Sequence, residues 1–320
     1  MNIAFVGIHP YYGGLSNNGG STTILRAVMI LREMGYTANV VTQHKDKFTF
    51  FKHPKPIKRI PKDADVCIAI SSSDIGPMLA RMPKRATPFY WCRLCDANTK
   101  MPKAKLIRHA SKVTTLVNSE GLRDWFKKYN VETKVAYQGI DFDKWKDTGE
   151  PKRPTLGFLI SKKTRKHFEI VEQIVHRLGD EYDYVGYGAS RDQNKSTKAF
   201  AKEYLSMFKT DASHADLCRI YNLCTIWVAT STQEGLHNPP IEAALCGCAV
   251  VFPDAPMGGC SDHCINGKTA WVYKARNPDD AAKVIRTADK SRNQAHQELI
   301  REKIGSRQVA MERLVACLSN

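Results

Sequence analysis

The sequence predicts an α/β protein made of two doubly wound, parallel-sheet domains that face a cleft. Three observations carry this. Short β-branched runs alternate with amphipathic helical stretches. The alternation comes in two series, parted by a proline- and charge-rich piece at about 146–154, "KDTGEPKRP". The 320 residues are enough for two domains of about 150 residues each. The expected division is 1–150, 151–300 and a closing helical segment, 301–320.

The first series opens with "NIAFVGI" (2–8), a buried strand, and a glycine-rich loop, "HPYYGGLSNNGGS". Residues 22–35 carry apolar side chains at helical spacing, closed by Gly35 as a C-cap. Strands are expected at 37–43, 66–73, 87–94 and 112–119. A helix capped by Ser119 follows at 120–129, then a last short strand at 135–139. In the second series strands are expected at 156–160, 182–188, 225–230, "CAVVF" (248–252) and 269–274. Helices are expected at 165–178, 213–222 and from Pro278 to about Lys290, with 291–320 mostly helical.

The apolar content of 42% and charged content of 25% are those of a soluble globular protein. No stretch approaches the ~20 apolar residues of a membrane-spanning helix. The amino-terminal stretch has no basic lead or long apolar region, so a signal peptide is not expected and a cytoplasmic location is. Ten cysteines include "CRLC", "CGC" and "CSDHC". They are expected to be reduced, buried small residues. A zinc site needs four ligands and CxxC occurs once, so neither metal nor cofactor is expected.

The net charge of +16 is uneven: residues 1–150 hold 24 basic and 13 acidic residues. Residues 81–112 have nine basic residues against one acidic, and 45–62 have seven against one, interleaved with three phenylalanines. A solvated face is the plain reading of such runs. An excess of this size favours a polyanionic partner, nucleic acid or an anionic membrane surface.

One stretch concentrates candidate chemistry: "STQEGLHNPPIEAALCGCAVV" (231–251). It follows a strand, so 231–238 form the loop at its carboxyl end, where doubly wound folds bind ligands. Pro239 and Pro240 suit the first turn of a helix, which puts Glu242 in that turn and Glu234 on the loop before it. Free backbone amides of Gly235, Leu236, His237 and Asn238, with the helix start, favour a phosphate. Glu242 is placed to accept hydrogen bonds from ribose hydroxyls. Alone, such a pair is more often a helix-start carboxylate and a loop charge.

This stretch closely resembles the mark of the retaining glycosyltransferases with two Rossmann-like domains (GT-B, group 1 type): S-x-x-E-G-x-G-x-x-P-x-E-A-x-A-x-G-x-P-V-V, with E-x7-E at Glu234 and Glu242. "VNSEGLRDWFKKYNVETKVAYQGIDFDKW", "DLCRIYNLCTIWVAT" and "GGCSDHCINGKTAWVY" resemble further family segments in order, with Asp262 replacing a glutamate. The resemblance implies transfer from a nucleotide sugar, UDP-glucose by default, without a metal. Glu234 would stabilise charge at the sugar's anomeric carbon and Glu242 would hold the ribose. Gly14, Gly19 and Gly20 would lie in a nucleotide- and acceptor-contacting loop, and the last helix would cross back to the amino-terminal domain. The diphosphate arginine of the family falls on Ser161, leaving Lys162, Arg165 or Lys166 to carry the leaving group's charge. His237 stands where the family has glycine and would crowd or contact the sugar. The family's amino-domain histidine is absent; Asp96 reads equally as the base of phage-type inverting DNA glucosyltransferases or as an N-cap.

Acceptor contacts are expected from the basic runs: Lys55, Lys58, Arg59, Arg93, Lys103, Lys105 and Arg108. The favoured acceptor is a hydroxymethylated base in DNA, as in phage-type DNA modification in a host cytoplasm. The alternatives are a lipid-linked or envelope glycan at an anionic membrane, and a non-catalytic nucleic-acid-binding protein on a transferase fold.

Overall fold

The computed structural model describes residues 1–10, 14–16, 18–94, 103–149 and 153–319. They form two compact units, Met1–Ile140 with Gly305–Asn320, and Asp141–Ile304.

In the first unit β1 (Asn2–Val6), β2 (Thr37–Val41), β3 (Val66–Ala69), β4 (Thr87–Cys92), β5 (Thr114–Val117) and β6 (Thr133–Val135) lie parallel in the order β2-β1-β3-β4-β5-β6. The strand β3 is buried throughout and β4 over its last four residues, as a parallel sheet covered on both faces requires. Its helices are α1 (Gly19–Glu33), α2 (Ile75–Leu79), α3 (Lys103–Ala110), α4 (Glu120–Lys127) and, from the chain's end, α11 (Arg307–Ser319). Ala310, Met311, Leu314 and Leu318 of α11 join one core with Ile24, Leu25, Val28 and Leu31 of α1.

In the second unit β7 (Thr155–Leu159), β8 (Asp183–Gly188), β9 (Met207–Thr210), β10 (Ile226–Val228), β11 (Ala249–Pro253) and β12 (Trp271–Tyr273) are all parallel, in the order β12-β11-β10-β7-β8-β9. Its helices are α5 (Phe168–Leu178), α6 (Lys195–Tyr204), α7 (His214–Leu223), α8 (Asn238–Leu245), α9 (Pro278–Thr287) and α10 (Asn293–Leu299). This is the Rossmann strand order, and its reversal lies between β7 and β10.

Several elements differ from the sequence reading. Helix α1 begins at Gly19 rather than 22, because the Asn18 side chain caps it by accepting from the Ser21 amide at 2.9 Å. The third strand stops at Ala69, and Ser72–Asp74 turn the chain into α2. Helices α3 and α6 and the half-exposed edge strand β9 were not anticipated; α3 buries only Leu106 and Ala110 within its basic run. The piece around 146–149 is not a loose linker. Trp145 is buried, its ring 4.4 Å from that of His214 and 5.6 Å from that of Tyr221. Asn222 then accepts from the Thr148 amide at 2.9 Å and donates to the Lys146 carbonyl at 3.0 Å. The chain therefore enters the second unit at Asp141 and leaves it at Ile304. Among the described residues no helix is long and apolar enough to cross a membrane.

Candidate functional site

Loops leaving the carboxyl ends of β7 and β10 meet at the strand-order reversal. After β7 the chain runs through Ser161 and a single 3₁₀ turn, Thr164–Lys166, to His167, which adopts left-handed φ 51°. The buried His167 ring bridges Glu169 Oε1 at 2.9 Å and Thr232 Oγ1 at 2.7 Å. Thr230 Oγ1 donates to the Lys166 carbonyl at 2.6 Å, and the Thr232 amide to the Arg165 carbonyl at 3.1 Å. These bonds fasten the 161–167 turn to the loop that carries Glu234.

Arg165 and Lys166 thereby converge on one carboxylate oxygen. Arg165 Nη1 donates to Glu234 Oε1 at 2.5 Å and to the Gln233 carbonyl at 3.0 Å; the Lys166 ammonium pairs with the same Oε1. Burial opposes ionisation of Glu234, yet Lys166, His237 and Arg165 beside it pull its pKa down to about 2. Burial also lowers the pKa of Lys166, against the pull of Glu234. Of the three cations proposed for a leaving diphosphate, two are here; Lys162 is exposed, and its neighbour Lys163 pairs with Asp192 at 2.7 Å.

The loop's far side is shaped by Gly259, in left-handed φ 73°. A β-carbon there would lie 2.7 Å from both Glu234 Cβ and the Gly235 carbonyl, so only glycine fits. The Glu234 amide donates to the Met257 carbonyl at 2.7 Å and the His237 amide to the Gly259 carbonyl at 3.0 Å. This corrects the expectation of a run of free amides at 235–238: the His237 amide is engaged, and the next two helix positions after Asn238 are prolines without N–H groups. Leu236 and the His237 ring are buried.

Helix α8 starts at Asn238, so Glu242 opens its second turn rather than lying in the first. Tyr221 Oη donates to Glu242 Oε2 at 2.9 Å, and Tyr187 Oη lies 2.8 Å from Tyr221 Oη. Burial and the Glu242 charge push both phenols well above their ordinary pKa, so they stay protonated and donate toward the carboxylate.

In the first unit, Gly19 and Gly20 are the first residues of α1, and Gly14 lies against His44. Arg93 is tied to backbone, donating to the carbonyls of Gly20 and, at 2.6 Å, Ile70. Lys103 stands 4.0 Å over the Tyr129 ring, whereas Lys105 and Arg108 are exposed and share the opposite side of α3. Lys55 and Arg59 are exposed, and Lys58 reaches the carbonyl of His44 at 3.4 Å. Phe48 belongs to the core and Phe51 packs against it; Phe50, 52% exposed, is the remaining aromatic of that run. Asp96 lies outside the described residues.

Residues 154–289 match the family model described as "Glycosyl transferases group 1". The match covers less than half of the chain. The matched segment contains β7 through α9 and every second-unit residue of the site described above. No curated protein matches the chain in sequence. Solved structures match its fold across both units. The sucrose-phosphate synthase of Thermosynechococcus elongatus is 13% identical with TM-score 0.80, over 100% of this chain and 98% of that one. Anabaena HepE, solved with UDP, is 14% identical with TM-score 0.79 over 100% of both chains. A glycosyltransferase of Rickettsia africae is 11% identical with TM-score 0.75, over 99% and 98%. The fold is GT-B.

Two features of the group 1 segment and one of the first unit escaped the sequence reading. Tyr187 and Tyr221 sit 34 residues apart and meet only because β8 and α7 adjoin Glu242. Cys260, His263 and Cys264 bring three buried side chains together in the partly exposed loop after β11, a cluster that the "CSDHC" spacing alone left as inert cysteines. Asp74, fully buried after β3, accepts from the His9 amide at 2.7 Å and from Ser71 Oγ at 2.5 Å; burial raises its pKa. Its signal was the polar run "SSSD" directly after a buried strand.

Proposed function

We propose that the chain transfers a sugar from a nucleotide sugar to an acceptor hydroxyl. The observation that carries this is the convergence of Arg165 and Lys166 on Glu234, at the ligand-binding end of a Rossmann sheet, within the group 1 segment. Breaking the glycosidic bond sends its electron pair to the diphosphate, and fixed cations there lower the barrier. Arg165 and Lys166 supply them by exchanging Glu234 for phosphate oxygens. Glu234, freed from the pair and ionised at neutral pH, then faces positive charge growing at the anomeric carbon. Glu242, held by Tyr221, takes the ribose. That HepE has been solved with UDP-glucose supports UDP-glucose as the donor to try first.

The acceptor reading is a hydroxymethylated base in DNA. Support comes from the net charge of +16 and from exposed Lys55, Arg59, Lys105 and Arg108. With Phe48 and Phe51 engaged in packing, phosphate contact rather than base stacking carries that support. If Asp96 takes the acceptor proton the product inverts; if the leaving diphosphate takes it, the anomeric configuration is retained, which is the outcome we favour.

The test incubates the chain with labelled UDP-glucose and other nucleotide sugars, offering duplex DNA with 5-hydroxymethylpyrimidines or anionic vesicles. Label in DNA, with a retained anomeric configuration by NMR, is expected. Label only in lipid would move the acceptor to the membrane surface. DNA binding with neither transfer nor donor hydrolysis would leave a non-catalytic DNA-binding protein.

A further inference from the structure

Two buried cysteines of the second unit behave as small, locally bonded residues: Cys224 and Cys248 donate their thiols to the carbonyls of Ile220 and Tyr221, at 3.0 and 3.1 Å. Cys260 and Cys264 do not. A turn after β11, with the Cys264 amide donating to the Cys260 carbonyl at 2.8 Å, sets both sulfurs on one side. Their neighbours are imidazole nitrogens. Cys264 Sγ lies 3.2 Å from His263 Nδ1 and 3.7 Å from Nε2 of His296, which α10 contributes. Cys260 Sγ, Cys264 Sγ and a His263 ring nitrogen lie within 4.8 Å of one another. His263 Nδ1 is 2.8 Å from His296 Nε2. All four residues are at most 4% exposed.

We propose that Cys260, Cys264, His263 and His296 form a structural site for a tetrahedral divalent metal ion, zinc first. Two thiolates and two neutral imidazoles are an established zinc set, and a Cys-x3-Cys spacing falls within its usual range. Bonds of about 2.3 Å to sulfur and about 2.0–2.1 Å to nitrogen space tetrahedral ligand atoms by about 3.3–3.8 Å. The two sulfur–nitrogen distances of Cys264 fall in or beside that range, and Cys260 Sγ, 3.5 Å from His237 Nδ1, would exchange that ring for the metal. The two imidazoles need to part by about half an ångström, exchanging their mutual hydrogen bond for the metal. Two thiolates cancel the ion's charge, so the site is neutral, as complete burial demands. Carboxylate or water ligation, which would favour magnesium or calcium, is not offered by these four side chains.

The ion would join the 254–264 loop to α10. That loop holds the Met257 and Gly259 carbonyls that accept from the amides of Glu234 and His237. Metal loss is therefore expected to loosen the Glu234 loop without removing any group proposed to touch a substrate. The site stands on its own geometry, whether or not the chain transfers sugars.

The test uses the full chain, purified from zinc-supplemented medium, with metal measured per chain; chelator-treated chain is then titrated with cobalt(II). The expected result is one equivalent of zinc, and a thiolate-to-cobalt charge-transfer band with tetrahedral d–d absorption, bleached by added zinc. Zinc is also expected to shield Cys260 and Cys264 from alkylation, mapped by mass spectrometry. Cys260→Ser and Cys264→Ser should each abolish the charge-transfer band or reduce it by half, and His296→Gln should weaken cobalt binding at least tenfold. Sub-stoichiometric zinc with no charge-transfer band in the wild-type chain overturns the proposal. So does a band that survives in the Cys260→Ser, Cys264→Ser double variant, or a Cys260–Cys264 disulfide in the freshly purified, metal-free chain. Should the variants not fold, the wild-type spectrum and the alkylation map decide alone.

Discussion

Arg165 Nη1 and Glu234 Oε1 lie 2.5 Å apart, a bond between residues 69 positions apart that closes the turn after β7 onto the loop after β10. Lys166 shares the same oxygen, so one carboxylate neutralises part of two cations. Such a triad is costly to leave unbalanced once formed, since breaking a buried pair costs about 3–5 kcal/mol.

Glu234→Gln separates the two roles of that carboxylate. Transfer is expected to fall about a hundred- to a thousandfold, the loss typical of one charge-stabilising group. Relieved of their internal partner, Arg165 and Lys166 should grip UDP more tightly, by about tenfold. Calorimetric titration with UDP checks this; weaker binding in the variant would place the two cations away from the diphosphate.

Acid stability should report the same pair. Glu234 falls from an ordinary 4.5 to about 2 on folding, so it binds a proton more readily unfolded than folded. Its contribution, about 3 kcal/mol, is complete above about pH 4.5 and is lost as pH falls toward about 2. Urea unfolding of wild type and Glu234→Gln across that window should show the stability gap narrowing as pH drops. A constant gap would mean that Glu234 is not held ionised by its cations.

Tyr221→Phe removes the donor to Glu242 and the partner of Tyr187 while keeping the ring between Trp145 and Trp227. The expected stability loss is about 1 kcal/mol, from a half-buried carboxylate with one donor fewer. If Glu242 holds the ribose, KM for the nucleotide sugar rises and kcat changes little.

Gly247→Ala tests the entry of the chain into the second unit. Gly247 has φ 82°, and a β-carbon would overlap the Asp147 carboxylate. The backbone strain alone costs about 1–3 kcal/mol, read as a lower thermal midpoint. Combining it with Asp147→Ala should recover the collision but not the strain.

Neutralising Lys105 and Arg108 together tests the polyanion reading. Each lost phosphate contact should flatten the plot of log affinity for DNA against log salt by about 0.9. An unchanged slope would remove that face of α3 from the contact.

Much of the fold was legible because parallel sheets impose buried β-branched strands, and Ser119, Pro239 and Gly35 mark helix ends by their backbone chemistry. The 231–251 stretch was legible for the same reason: strand, loop and helix start are contiguous there. What the order of residues hides is neighbourhood across the sheet. Arg165 reaches Glu234 only because β7 and β10 are paired, and His167 in its left-handed turn sets the angle. Phe48 and Phe51 looked like part of a binding surface because a basic run surrounds them, yet Phe48 lies in the core beneath it and Phe51 packs against that core. The cysteines looked inert because their histidine partner at 296 arrives from α10.

The first unit is discontinuous, and this fixes an order of events during synthesis. Its sheet emerges from the ribosome early, but the face of α1 that α11 covers stays bare until residues 307–319 appear. The second unit is made entirely within that interval and is continuous in sequence. The later-encoded unit can therefore finish folding before the earlier one, which must keep an apolar helix face out of wrong contacts for more than 160 residues of elongation.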